Sequence, residues 1–261
     1  MNNSKTSITN IKKRVIPLIL VSNYQVVKSR EFDDYRTFGN LEQTTTVFNH
    51  RNVDELIVVD IDASKNGSKV NLELLKILSK NCLMPFAFGG GIRSNEDIRK
   101  CLFFGCEKVV INSKCIENIN FINEAAKVFG NQSIIVSVDY KILGKNNWQI
   151  FSHAGLDTTK LEPKQYVKDL VNSGAGELLL TSVNHDGNMK GYDTSFYEYV
   201  CNEINIPILL SGGCGKPEDI NKLYSLGIDG FCAGSIFYYT EYGYKDIKNH
   251  LVKNNFNVRP G

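Results

Sequence analysis

Asp139 closes the run Ser133–Asp139, SIIVSVD, and is followed by Tyr140 and Lys141. The run is apolar and β-branched, the pattern of a parallel strand buried on both faces. A carboxylate at the C-terminal end of such a strand has two uses. It caps the next turn, or it faces the end of a barrel where chemistry sits. Two more acids, Asp60 and Asp62, close another apolar run in VVDIDAS. A third run leads into Thr181-Ser182-Val183-Asn184-His185-Asp186-Gly187, where Asp186 suits a turn or the hydroxyls of a substrate. His185 has the chemistry of an acid/base, although a lone loop histidine more often faces solvent. General acid–base work needs two groups with separated pKa values, and Asp139, Asp60, Asp62 and Thr181 would ring one mouth.

Glycines supply a second kind of chemistry. Gly89-Gly90-Gly91 follows one apolar run and precedes a helical segment, and Ser211-Gly212-Gly213-Cys214-Gly215 does the same. Glycine lets backbone N–H groups approach an anion, and a helix N-terminus adds a favourable field. In (β/α)8 barrels the phosphate site commonly uses the loops after strands seven and eight. Gly212-Gly213 and Gly234-Ser235 fit those places, and Gly90-Gly91 with Asn112-Ser113 forms a second set. Two cradles on opposite sides of a mouth imply an elongated substrate with a phosphate at each end. The plainer alternative is that these glycines only turn the chain.

The elements that would position these groups alternate along the chain. Apolar, β-branched runs fall at Arg14–Val21, Glu55–Ile61, Pro85–Phe88, Lys108–Ile111, Ile134–Val138, Glu177–Leu180, Ile206–Leu210 and Gly230–Ala233. Helical spacing lies between them, as in Leu72, Leu75, Ile77 and Leu78, or Phe121, Ile122, Ala125, Ala126 and Phe129. Ser94 with Asp97, and Lys216-Pro217-Glu218-Asp219, read as helix starts. Eight strand–helix units in about 250 residues predict an α/β protein with a closed (β/α)8 barrel. An open doubly wound sheet is the alternative, but no GxGxxG follows the first strand. Blocks also recur at one offset of 122 residues: Glu55-Leu56 with Glu177-Leu178, Pro85 with Pro207, Gly105 with Gly227. A constant offset predicts two half-barrels of four units each. Ser22–Asn40 reads as a long polar loop, and Leu143–Thr159 as a loop whose Trp148–Ser152 forms a small hairpin; both leave the C-terminal end of the barrel.

Bulk properties narrow the class. The chain has 261 residues, 42% hydrophobic and 22% charged, which suits a single barrel over residues 13–261 after a polar extension over 1–12. A net charge of +2 with no clustered basic face argues against nucleic acid, and no apolar run approaches the ~20 residues that span a bilayer. The seven cysteines include no CxxC pair and the four histidines lack metal-ligand spacing, so neither disulfides nor a metal is expected, and a reducing cytoplasm is.

The motifs DELIVVDIDAS, FGGGI, GCEKVVINS, SIIVSVDYK, GAGELLLTSVNHDGNMKGYD, LLSGGCGK and NFNVRP resemble the HisF family, the cyclase subunit of imidazole glycerol phosphate synthase. The resemblance runs over nearly the whole chain from Lys13. It implies a barrel without cofactor that takes ammonia from a HisH-like glutaminase partner. It further implies a lyase/cyclase reaction of histidine biosynthesis, on a bisphosphorylated ribulosyl intermediate. The matching phosphate positions are Gly91, Asn112 and Ser113 on one side and Gly213, Gly234 and Ser235 on the other. Lys28 matches the family's loop lysine, and Asp60, Thr181, Asp186, Gly187 and Ser211 fall among the expected substrate-binding positions. Arg14, Glu55, Lys108 and Glu177 match the charged ring at the ammonia entrance.

The first strand departs from that pattern. The family's motif there carries one of two catalytic carboxylates, and this chain reads Leu18-Ile19-Leu20-Val21, with Leu20 at that place. A leucine cannot transfer a proton, so Asp139 is left as a single acid/base. Ala154 also replaces a small polar residue. This combination resembles the HisF-like branch of surface-polysaccharide clusters (WbuZ type), which implies ammonia supply for acetamidino groups on a sugar. Two alternatives stand beside it. One is a true cyclase, with a water or Asp60 covering for Leu20; the other is a non-catalytic partner that docks and activates the glutaminase.

Overall fold

The computed structural model describes residues 12–259. The extension expected over residues 1–12 lies outside the described residues, apart from Lys12. Twelve strands run in chain order. The first half holds β1 (Arg14–Ser22), β2 (Gln25–Arg30), β3 (Asp33–Asn40), β4 (Leu56–Asp60), β5 (Phe86–Gly89) and β6 (Lys108–Ile111). The second holds β7 (Ile134–Gly144), β8 (Asn147–Ser152), β9 (Asp157–Thr158), β10 (Glu177–Ser182), β11 (Ile208–Ser211) and β12 (Gly230–Ala233). Eight of them are parallel neighbours in the order β10-β11-β12-β1-β4-β5-β6-β7, and β7 pairs with β10 to close the ring. This is a closed (β/α)8 barrel, and each predicted apolar run supplies one of its strands.

Both halves begin alike. β1 turns back antiparallel into β2, and β7 turns back antiparallel into β8. Leu20 lies beside Val59 of the next barrel strand, as Asp139 lies beside Thr181. Leu20 and Asp139 are therefore counterparts in the two half-barrels. The second hairpin was legible in the sequence; the first was not. Ser22–Asn40 is no loop: Asn23–Tyr24 and Glu31–Phe32 make two tight turns with φ of 47° and 64°, and 55° and 64°. Left-handed pairs of this kind belong to two-residue hairpin turns, which usually announce themselves with glycine. Here none does.

Parity assigns the barrel interior, because alternate residues of a strand face opposite sides. Ile16, Ile57, Ala87, Val110, Ile135, Leu179, Leu209 and Cys232 pack there as one fully buried apolar cluster. Two residues earlier on four of these strands stand Arg14, Glu55, Lys108 and Glu177. The outward residues of the same strands meet the helices in the larger core. The helix Leu72–Asn81 buries Leu74, Leu75 and Leu78, while Leu72, expected inside, is 38% exposed at its first turn. Ser94 caps the helix Asn95–Phe103 by accepting from the Asp97 N–H, and its hydroxyl donates to the Asp97 carboxylate. Cys101, Cys106, Cys115, Cys214 and Cys232 are buried. Among the described residues, no helix is long and apolar enough to cross a membrane.

At the N-terminal end of the barrel one ion pair is fully enclosed. Lys248 Nζ lies 3.0 and 2.9 Å from the two Asp54 oxygens, with 1% and 5% of the two side chains exposed. Asp54 also accepts the Val15 N–H at 3.0 Å, tying the last helix to β1. Removing one partner leaves a buried charge without compensation. Lys248→Ala is expected to lower unfolding free energy by about 3–5 kcal/mol, read from the urea midpoint.

Candidate active site

Asp139 projects from β7 into the barrel mouth and is 9% exposed. Ser137 Oγ donates to one carboxylate oxygen at 3.0 Å, and Asn112 Nδ2 donates to the other at 3.1 Å. Burial pushes its pKa up to about 7; the Ser137 hydrogen bond pulls it back and the charge of Asp186 adds to the rise. A carboxyl group half-protonated near neutrality can both take and return a proton. Asn112 is held by the same contacts, since its Nδ2 also donates to the Ser137 carbonyl at 3.1 Å. Its Oδ1 is buried without a hydrogen-bond partner in the protein.

Two adjoining clefts open here. The first, about 1050 Å³ and open to solvent, is lined by Gly90, Gly91, Asn112, Ser113, Asp139 and Thr181. The second, about 390 Å³, is lined by Lys28, Gly187, Gly212, Gly213, Gly234 and Ser235. Leu18, Leu20, Asp186 and Ser211 border both. The two glycine sets therefore face one mouth from opposite sides. Each is followed by a short helix whose first residue or cap is serine: Ser113 opens Ser113–Glu117, and Ser235 caps Ile236–Tyr239. Neither helix has a side-chain cap, which leaves its first N–H groups to an outside acceptor. Close packing requires glycine at Gly213, where a Cβ would collide with the Gly191 carbonyl.

Lys28 comes from β2 and is 4% exposed. Its Nζ donates to the Leu18 carbonyl at 2.6 Å and lies against Gly234 in the second cleft. Desolvation brings its pKa down to about 8, against the pull of Asp186. The hairpin is pinned over the mouth from the other side. Ser29 Oγ donates to the Asp186 carboxylate at 2.5 Å, and the Glu31 N–H donates to the Asp186 carbonyl at 3.0 Å. Burial raises the Asp186 pKa, opposed by Ser29 and Lys28.

Three sequence expectations end elsewhere. The Asp60 carboxylate does not line either cleft; it accepts the N–H groups of Asp62 and Ala63 at 3.1 and 3.2 Å and caps the helix Ile61–Lys65. The inward residue at that level of β4 is Val59, so parity turns Asp60 away. Asp62 accepts from Ser22 Oγ at 2.9 Å and fixes the first hairpin instead. His185 lines neither cleft and pairs its Nδ1 with Ser182 Oγ at 2.9 Å. Conversely, Phe32, Tyr35, Arg93, Lys114 and His153 line the first cleft and were not singled out by sequence. Only a hairpin over Ser22–Asn40 could have brought Phe32 and Tyr35 there.

At the opposite end of the barrel the four charges alternate around a closed ring. Arg14 Nη1 lies 2.6 Å from Glu55 and Nη2 3.2 Å from Glu177, while Lys108 Nζ lies 3.1 Å from Glu55 and 3.0 Å from Glu177. Desolvation works against the Arg14 charge, but the two carboxylates outweigh it and hold the guanidinium above its ordinary pKa. The ring closes the foot of the apolar interior that leads up to Asp139.

The raised Asp139 pKa has a sign. Because the folded value lies above the unfolded one, the protonated form is favoured by folding and its benefit is lost as pH rises through 7. Asp139→Asn should therefore stabilise the protein more at pH 8.5 than at pH 5, by about 2–4 kcal/mol, in paired denaturant titrations.

A model of a histidine biosynthesis protein matches residues 14–243. The chain is 42% identical over 249 residues to a putative imidazole glycerol phosphate synthase subunit hisF2 of Campylobacter jejuni, covering 95% of this chain and 99% of that one. It is 34% identical, at the same coverage, to an imidazole glycerol phosphate synthase subunit HisF of Dictyoglomus turgidum. It is 36% identical to that of Helicobacter hepaticus over 96% of this chain and 99% of the other. With the closed barrel, the paired glycine clefts and the charged ring already in place, these matches close the question of kinship: the chain belongs to the HisF family.

Proposed function

We propose that this barrel receives ammonia from a HisH-like glutaminase and uses it to amidate a phosphorylated sugar of a surface polysaccharide, rather than to form imidazole. The carrying observation is Leu20. It stands at the counterpart of Asp139, borders both clefts, and offers no proton. Leu18, Val59 and Ile61 stand with it along the first cleft, so this wall is apolar rather than merely lacking one acid. Proton transfer from a positioned side chain contributes roughly 10²–10⁴-fold. The ordinary ring closure loses that contribution here. The remainder of the ammonia apparatus is intact: ring, apolar interior and an acid/base at its upper end.

The partner has a surface to meet. Leu83 and Phe103 are 86% and 84% exposed. They sit in the connections leading into β5 and β6, at the end of the barrel where the charged ring lies. Phe103→Glu should abolish association with the glutaminase in sedimentation or titration calorimetry, while turnover supplied with ammonium chloride stays unchanged.

The test of the reaction uses the bisphosphorylated ribulosyl intermediate with ammonium chloride. Turnover is expected at roughly 10²–10⁴-fold below that of a HisF carrying both acids, and Leu20→Asp should raise it. Turnover at the ordinary rate by the unaltered protein would overturn the proposal. That result would favour a second reading, a true cyclase with Asp186 as the other acid. Its supporting observation is that Asp186 borders both clefts and has a raised pKa. Asp186→Asn would then abolish turnover as Asp139→Asn does. A barrel that only docks and activates the glutaminase would keep its pathway output in Asp139→Asn and lose it in Lys108→Ala.

A further inference from the structure

The two hairpins that begin the half-barrels cross over. β2, from the first half, carries Lys28 to the cleft built by Gly213, Gly234 and Ser235 of the second half. The second half reaches the first-half cleft through the turn that follows its hairpin, between β8 and β9, and the basic residue there is His153. Lys28 follows Val27, the partner of Leu20 across β1 and β2. His153 lies two residues after Phe151, the partner of Asp139 across β7 and β8. The strand position matching Lys28 is Ser152, and His153 stands one residue beyond it, in the turn that borders the first cleft.

His153 is held with unusual care for a hairpin tip. Its main chain is left-handed at φ 51°, and so are Ala154 at 56° and Gly155 at 81°. His153 and Ala154, unlike the glycine, are strained in that conformation, a cost that surrounding contacts must offset. Those contacts lead to the cleft. The His153 N–H donates to Ser113 Oγ at 3.1 Å, at the start of the helix that ends the first glycine set. Its Nδ1 lies 2.8 Å from Asp157 Oδ2 and 3.2 Å from Ser152 Oγ. A carboxylate on Nδ1 fixes the ring orientation and leaves Nε2 as the ring's other hydrogen-bonding nitrogen.

We propose that His153, oriented by Asp157, contacts the anionic end of the substrate in the first cleft, as Lys28 does in the second. The inference rests on reading the first cleft as a cradle for one anionic end of the substrate. It assigns the two ends different chemistry. The Lys28 end binds a phosphate with a buried ammonium; the His153 end binds with an imidazole held in place by a carboxylate. Tyr35, Arg93, Lys114, Glu117, Asp139 and Asp186 also face this cleft. Asp139 ionises near pH 7, so variants are compared with the unaltered protein at one pH below that.

Sulfate, a dianion at that pH, is the probe. Amide shifts of Gly90 and Gly91 report the first cleft, and those of Gly212 and Gly213 the second, in NMR titrations at pH 5.5. His153→Gln is expected to weaken sulfate at Gly90–Gly91 about tenfold, leaving Gly212–Gly213 unmoved. His153→Lys should restore the affinity. Equal affinity of the unaltered protein and His153→Gln at pH 5.5 overturns the role of His153 while leaving the cradle standing. No sulfate response at Gly90–Gly91 in the unaltered protein overturns the cradle itself, and the inference with it.

Discussion

Everything at the mouth depends on strand parity inside a closed ring. Once β7 pairs with β10, no strand can slip without turning its whole inward row outward. The inward rows differ in chemistry from one level to the next: four charges, then eight apolar side chains, then polar groups and glycines beside Leu18 and Val59. A slip of one residue would bury outward side chains inside the barrel and strip the ring of Arg14 or Glu55. The ring therefore reports the register. Its charges satisfy one another in an alternating cycle, which offsets the cost of placing them at the edge of an apolar interior.

Much of this was readable in the amino acids. Eight apolar runs, a repeat at a constant offset and glycine sets at matching places lead to the barrel and to its two-sided mouth. Asp139 was legible for a physical reason: an acid closing a doubly buried strand is out of keeping with its neighbours. Asp60 closes a similar run and misled, because one residue of parity separates a mouth-facing position from a helix cap. The first hairpin was hidden because its turns use Asn, Tyr, Glu and Phe in left-handed conformations where glycine is the usual signal. With that hairpin unread, the aromatic residues over the first cleft had no place in the expectation. His153 was hidden differently, since its partners Ser113 and Asp157 come together only across the hairpin.

The apolar side chain of Leu20 bears on the charge of the mouth. Two carboxylates facing each other across a mouth raise and separate each other's pKa values. With an apolar side chain there, Asp139 feels a carboxylate only from Asp186, and burial dominates its rise to about 7. A single buried acid near neutrality serves reactions in which the same proton leaves and returns. An attack by ammonia on an activated carbonyl or imidate carbon has that requirement.

The contact between Lys28 and the Leu18 carbonyl bears on how a ligand is received. A buried ammonium would ordinarily demand water or a counter-ion, and the second cleft is narrow. The backbone oxygen supplies a neutral acceptor in the meantime. An anion bound there would give the lysine a charged acceptor in place of a neutral one, with most of its own dehydration already met during folding. The ammonium is in this sense solvated by its own barrel.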